Sequence, residues 1–244
     1  MLSVFDMFSI GIGPSSSHTV GPMRAAKEFV DQLAADELLS NVAAIQTELF
    51  GSLGQTGIGH GSGKAVILGL LGDAPETINP DSVAGKLAEI DKTETLSVLG
   101  QHSVAFPRKN AIIFHRRKTL PLHSNGMTIT ATDAQNNLVA SQTYYSIGGG
   151  FIVKHEDFEL QKETAQQQVE ETTVPYPFST GTELLEMCQR DGLSIPSLMM
   201  ANERVWQSED VVRAELVKLW NVMEACIDRG IRTEGILPGG LKVK

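Results

Sequence analysis

Behind Pro22 the apolar residues Met23, Ala26, Val30 and Leu33 recur three or four positions apart, and that spacing predicts a helix beginning at the proline. Residues 42–50 read as a strand, and residues 62–71 and 82–90 as two further helices. Near residue 127 the period changes to two. Met127, Ile129 and Ala131 alternate with Thr128, Thr130 and Thr132, the pattern of a strand with one face buried. Asn136 and Asn137 supply turn residues, so residues 139–147 can return as the second arm of a hairpin. Beyond about residue 174 the pattern is helical again, over 182–190, 196–205 and 208–229. The last of these carries Val212, Leu216, Leu219, Trp220, Met223 and Ile227 at helical spacing, with Ser208 to cap it, Glu209 and Asp210 in its first turn and Gly230 as its expected stop. Helices and antiparallel strands in this order predict an α+β fold: an antiparallel or mixed sheet with helices packed on one face, followed by a helical connecting region.

A boundary is expected where Gly148-Gly149-Gly150 gives way to a polar stretch over 154–173, which divides the chain into residues 1–153 and 154–244. A net charge of −9 excludes the clustered basic surface that nucleic acid requires. No apolar run has the length to span a bilayer, and the first residues lack the regions of a signal peptide. A cytoplasmic protein acting on an amino acid or small acid is expected, with neither nucleic acid nor membrane as partner. Cys188 and Cys226 are far apart and have no metal-ligand spacing, so this chain is expected to hold neither a disulfide nor a metal. Both read as small apolar residues on helices.

Candidate chemistry concentrates in Ser15-Ser16-Ser17-His18-Thr19, which lies between Gly11, Gly13 and Gly21 just ahead of the first predicted helix. Unpaired backbone N–H groups and the positive end of the helix dipole accept an anion at such a place, and the hydroxyls can add hydrogen bonds, so a carboxylate or phosphate ligand is expected. The same serines also suit an ordinary helix cap. His60, with Gly59 and Gly61 on either side, stands where a ligand can reach it, and an imidazole's ordinary pKa near 6.5 suits a general base, although a lone histidine in a glycine-rich loop is more often structural. His123-Ser124-Asn125-Gly126 forms another polar cluster, able to grip an amino acid or simply to turn the chain. Several familiar sites are missing. There is no Gly-x-Ser-x-Gly elbow, no phosphate loop ending in Lys and no dinucleotide fingerprint, and nothing selects an acid to orient His18 or His60 as a triad requires.

Four separated motifs carry a resemblance. Residues 9–23, the loop at 51–60, His123-Ser124-Asn125-Gly126-Met127 and Gln142-Thr143-Tyr144-Tyr145-Ser146-Ile147-Gly148-Gly149-Gly150-Phe151 together resemble the iron-sulfur L-serine dehydratases, and the similarity runs on to Glu234-Gly235-Ile236-Leu237-Pro238-Gly239. It implies an N-terminal β-domain and connecting region, the chain being the N-terminal part of an enzyme whose C-terminal α-domain, in cis or as a separate chain, holds a 4Fe-4S cluster on three cysteines. Neither Cys188 nor Cys226 matches those ligands, so the chain alone is expected to be inactive. The resemblance further implies L-serine as substrate, pyruvate and ammonia as products, no pyridoxal phosphate, and a homodimer. It assigns His60 as the base, and Ser15, Ser16, Ser17, His18 and Thr19 to the substrate carboxylate. The same β-domain is similar to the allosteric substrate-binding domain of some D-3-phosphoglycerate dehydrogenases. On that alternative the chain is a non-catalytic module that holds serine at His123 and Asn125.

Overall fold

The computed structural model describes residues 3–158 and 173–236. Its helices are α1 (Val4–Met7), α2 (Gly21–Ala35), α3 (Gly51–Thr56), α4 (Ser62–Leu70), α5 (Val83–Thr93), α6 (Arg108–Ala111), α7 (Gly181–Asp191), α8 (Ile195–Glu203) and α9 (Glu209–Arg232). Its strands are β1 (Ala44–Leu49), β2 (Thr95–Val98), β3 (His102–Ala105), β4 (Ile112–Phe114), β5 (Gly126–Thr132), β6 (Leu138–Gly148) and β7 (Phe151–Lys154). The described residues form two units, 11–158 on one hand and 3–10 with 173–236 on the other.

In the first unit all seven strands join one mixed sheet, in the order β2-β3-β1-β5-β6-β7, with β4 also on β1. β1 is its centre. One edge pairs antiparallel with β5, from Ala44 opposite Thr132 to Leu49 opposite Met127. The other edge takes two strands in succession, both parallel: β3 beside Ala44 and β4 beside residues 47–49.

The alternation read from the sequence sets the two faces. Ile45, Leu49, Met127, Ile129, Ala131 and Tyr144 are buried in the core shared with Phe29, Val30 and Leu33 of α2 and Val66, Ile67 and Leu70 of α4. Each such side chain contributes roughly 1.5–3 kcal/mol over leaving it in water. On the opposite face hydroxyls pair across the strands, Thr128 with Thr143 at 2.8 Å and Thr130 with Ser141 at 3.1 Å. The hairpin forms as expected. Asn136 takes the left-handed conformation, and the Asp133 carboxylate accepts the N–H groups of Gln135 and Asn137, both at 2.8 Å.

Helices α2 and α4 lie unusually close because residue 69 has no side chain. A Cβ there would stand 2.2 Å from the Met23 carbonyl oxygen and 2.8 Å from the Ala26 Cβ. Thr47 is a polar exception in this core: fully buried in β1, its hydroxyl has no hydrogen-bond partner among the described residues, and the same holds for buried Ser146 of β6.

In the second unit, polar side chains organise the backbone. The Glu203 carboxylate, 2 % exposed, accepts the Ser3 hydroxyl and the Val4 N–H, both at 2.7 Å, at the start of α1. Buried Asn202 holds Tyr176 in both directions, accepting its N–H and donating to its carbonyl at 2.9 Å each. Along α9 only Val212 is buried, and Trp220 is 55 % exposed. Gly230 does not stop this helix, which continues to Arg232 and is capped by Thr233, whose hydroxyl donates to the Arg229 carbonyl at 2.7 Å. A glycine within a helix costs about 1 kcal/mol, too little to end it without a left-handed cap. Cys188 is buried on α7 and Cys226 exposed on α9. The polar stretch at 154–173 and the terminal run from Gly235 lie largely outside the described residues.

Two stability changes are expected. Gly69→Ala forces α2 and α4 apart and should lower stability by roughly 1–3 kcal/mol in denaturant titrations. Thr47→Val keeps the shape while removing the unpaired hydroxyl, and should raise stability by on the order of 1 kcal/mol.

Candidate active site

Each of the two adjoining helices, α2 and α4, begins beside a histidine. Ahead of α2 the chain makes a wide turn over Ser16–Val20, in which the Gly21 N–H reaches back to the Ser16 carbonyl. Ser15 organises this turn. Its hydroxyl accepts the His18 N–H at 3.2 Å, and its carbonyl accepts those of Thr19 at 3.0 Å and Val20 at 3.2 Å. The first N–H groups of the turn, at Ser16 and Ser17, have no partner within it, which is the anion-binding feature expected of a helix start. Ser16 is exposed, whereas the Ser17 hydroxyl bonds His18 Nδ1 at 2.9 Å.

The second loop leaves β1 through Gly51, whose positive φ only glycine adopts freely. Its N–H donates to the Lys118 carbonyl, and that of Ser52 to the Ser124 carbonyl, both at 2.8 Å. Ser52 thereby joins three motifs. Its hydroxyl lies 3.0 Å from His18 Nε2, its carbonyl accepts the Thr56 hydroxyl at 2.9 Å, and its N–H holds the turn at 123–126. The fourth motif reaches the same place through α2, where Arg24 donates to the Gly150 carbonyl at 2.8 Å.

The His18 and His60 rings face each other with centroids 4.8 Å apart. His60 Nδ1 lies 3.0 Å from the Thr56 carbonyl, which can only accept, so Nδ1 carries the proton. Nε2 is left with its lone pair, the form a general base needs. Burial, and then repulsion from the nearby His60 ring, hold His18 below its ordinary value of 6.5, while a hydrogen bond from the His18 ring to the backbone of Ser52 acts in the other direction. The His18 ring is thus biased towards its neutral form, with both nitrogens on hydroxyls that can donate or accept.

Thr19 is 3 % exposed and its hydroxyl donates to the His60 carbonyl at 2.9 Å. Ser62, wholly buried, donates to the His18 carbonyl at 2.5 Å. The structure thus gathers residues 15–19 and His60 at one place. His123 and Asn125 occupy the neighbouring turn. The Asn125 N–H bonds His123 Nδ1, and its side-chain amide donates to the Ser146 carbonyl, both at 3.1 Å. Three contributors carry no signal in the sequence: Ser52, Thr56 and Ser62. Ser52 and Thr56 lie inside the glycine-rich loop, but nothing in a single hydroxyl's position reveals which backbone group it will meet. The three histidines outside the motifs have partners of their own, His102 with the Val42 carbonyl at 2.7 Å, His115 with Glu48 at 2.6 Å and His155 with Tyr145 at 3.0 Å.

Among the described residues, no three His, Cys, Asp or Glu side chains gather as a metal site. With Cys188 buried and Cys226 exposed on different helices, the residues present do not fit a 4Fe-4S cluster. No described helix is long and apolar enough to cross a membrane.

The chain is 51 % identical over 243 residues to an L-serine dehydratase of Streptomyces coelicolor and 47 % identical over 244 residues to L-serine dehydratase 1 of Escherichia coli. A more distant relative, the L-serine dehydratase of Helicobacter pylori, is 35 % identical over 243 residues. These alignments cover 99–100 % of this chain, whereas the chain spans about half of the relatives' length, 51–52 %. The family model described as serine dehydratase beta chain matches residues 3–157. On that match, with relatives aligned from end to end of the sequence, the chain belongs to the serine dehydratase beta chain family.

Proposed function

We propose that this chain supplies the base and the carboxylate-binding loop for dehydration of L-serine to pyruvate and ammonia. The observation that carries this reading is His60, whose Nδ1–H is fixed on the Thr56 carbonyl while Nε2 has no hydrogen-bond partner among the described residues and the ring lies beside the hydroxyl-rich turn. The substrate carboxylate sits at the head of the Ser16–Val20 turn, on backbone N–H groups and the exposed Ser16, with Ser15, Ser17, His18 and Thr19 shaping the loop around it. His60 Nε2 takes the α-proton as the Cβ–O bond breaks, and the same proton then passes to the departing hydroxide, which leaves as water. The aminoacrylate so formed tautomerises to an imine, and hydrolysis consumes one water and releases ammonia and pyruvate. No pyridoxal phosphate takes part.

The 4Fe-4S cluster of this reading rests on cysteines outside the chain, in a C-terminal α-domain joined in cis or supplied as a separate protein. Residues 1–153 are the β-domain and 154–244 the connector towards that α-domain. The exposed apolar side chains of α9, among them Trp220 and Ile227, suit a connector that is covered in the assembled enzyme. The assembly is a cytoplasmic homodimer.

A second reading, a regulatory module that binds serine at His123 and Asn125, has one observation in its favour. Because His123 Nδ1 accepts the Asn125 N–H, its proton is on Nε2, where it can donate to a carboxylate. Asn125→Ala should then alter the cooperativity of the assembled enzyme more than its maximal rate, whereas a simple proportional loss of rate counts against this reading.

The direct test measures pyruvate formation from L-serine without oxygen, for this chain alone and after addition of the separately expressed C-terminal half of the Streptomyces relative with iron and sulfide. Activity is expected only in the mixture. There, His60→Asn should lower kcat by roughly 10²–10⁴-fold while serine still binds. Unchanged turnover removes the assignment.

The depressed His18 pKa also has a consequence for stability. Below pH 6.5 the unfolded chain takes up a proton on His18 more readily than the folded one, so this residue makes stability fall as pH drops. His18→Gln should therefore gain in Tm relative to the parent on going from about pH 7.5 to about pH 5.5. Parallel curves would show that His18 is not held neutral by the fold.

A further inference from the structure

The two hydroxyl–carbonyl bonds beside the histidines are reciprocal. Thr19, one residue after His18, donates to the His60 carbonyl, and Ser62, two residues after His60, donates to the His18 carbonyl. Neither hydroxyl can reach a ligand, since Thr19 is 3 % exposed and Ser62 not at all. Nor can the helix replace the bond from Ser62, because the α-helical partner of the His18 carbonyl would be the N–H of residue 22, which is proline.

His60 is gripped on both sides as a result. Its N–H, at 3.2 Å, and its Nδ1, at 3.0 Å, meet the Thr56 carbonyl, and its own carbonyl meets Thr19. Thr56 is tied to the Ser52 carbonyl and Ser52 to His18 Nε2, so the hydrogen bonds close into a ring that contains both imidazoles.

We infer that Thr19 and Ser62 are positioning residues, a reciprocal latch that fixes the His18–His60 pair so closely that the two rings cannot titrate independently. The catalytic consequence rests on the reading of His60 as the base, but the geometry does not. Two imidazolium ions 4.8 Å apart repel each other, so a proton on either ring makes a second one on its neighbour less favourable. Thr19, placed by its motif with the carboxylate-binding residues, acts on this view through His60 instead.

The test reads the rings directly. In this chain labelled with 15N-histidine, NMR titration should show His18 and His60 losing their protons in two coupled steps, with His60 keeping its proton on Nδ1. Thr19→Val should weaken the coupling and let His18 move back towards 6.5, and Thr19→Ser should restore both features. Because the two bonds close one ring, Ser62→Ala should do much the same alone, and the double variant little more than either single one. Independent titration in the parent chain, an unchanged pair in Thr19→Val, or fully additive effects would each overturn the latch. Should Thr19→Val fail to fold, Ser62→Ala and Thr19→Ser still decide between these outcomes.

In the assembled enzyme Thr19→Val should lower kcat by roughly 10- to 100-fold with little change in KM. An inactive assembly of parental halves would defeat the base assignment and leave the latch to be decided by the ring titration.

Discussion

The approach of α2 to α4 at Gly69 is the constraint on which the site depends. With the Met23 carbonyl in the space a side chain would fill, the two helices run close enough for their starting turns to touch. His18 and His60 belong to those turns and are 42 positions apart in the chain, so no local interaction could hold their rings at 4.8 Å. The sheet contributes at one remove. β1 ends directly in the Gly51 loop, and its pairing with β4 and β5 brings the segments at 115–118 and 123–126 against that loop.

Around the histidines the protein uses hydroxyls and backbone carbonyls where many sites use a carboxylate. The choice matters electrostatically. A carboxylate beside either ring would favour imidazolium and would repel a substrate carboxylate from the same space. Ser17, Ser52, Thr56, Thr19 and Ser62 fix ring orientation and tautomer without bringing any charge. The starts of α2 and α4 add a positive bias that suits an anion.

Much of this was legible in the sequence because period and punctuation agree with the tertiary demand. The alternation over residues 127–132, Asn136 at the hairpin and Pro22 at the start of α2 all act where they are written. β2, β3, β4 and β7 were not legible. At three or four residues each they are too short to show a period, and they exist because a neighbouring strand offers its edge. Gly230 failed as a stop for the opposite reason: a local signal of small cost acts only where the backbone needs its special geometry. At the site, the motifs carrying Ser15–Thr19 and His60 stood out through their clustered chemistry. Ser52, Thr56 and Ser62 did not, because a lone serine or threonine gains its meaning from the backbone group it meets after folding.

The positions of the charges also order the events on the proposed reading. An empty site has helix starts that favour an anion and a His18 biased towards its neutral form by burial and by its neighbour. Binding the substrate carboxylate there supplies the negative charge that a protonated His60 needs nearby. The substrate thus improves the base that is to act on it, since its own carboxylate stabilises the imidazolium formed when the α-proton moves. A molecule lacking the carboxylate would leave that imidazolium between two helix starts with no counter-charge, so selection for an amino acid arises at the proton-transfer step as well as in binding.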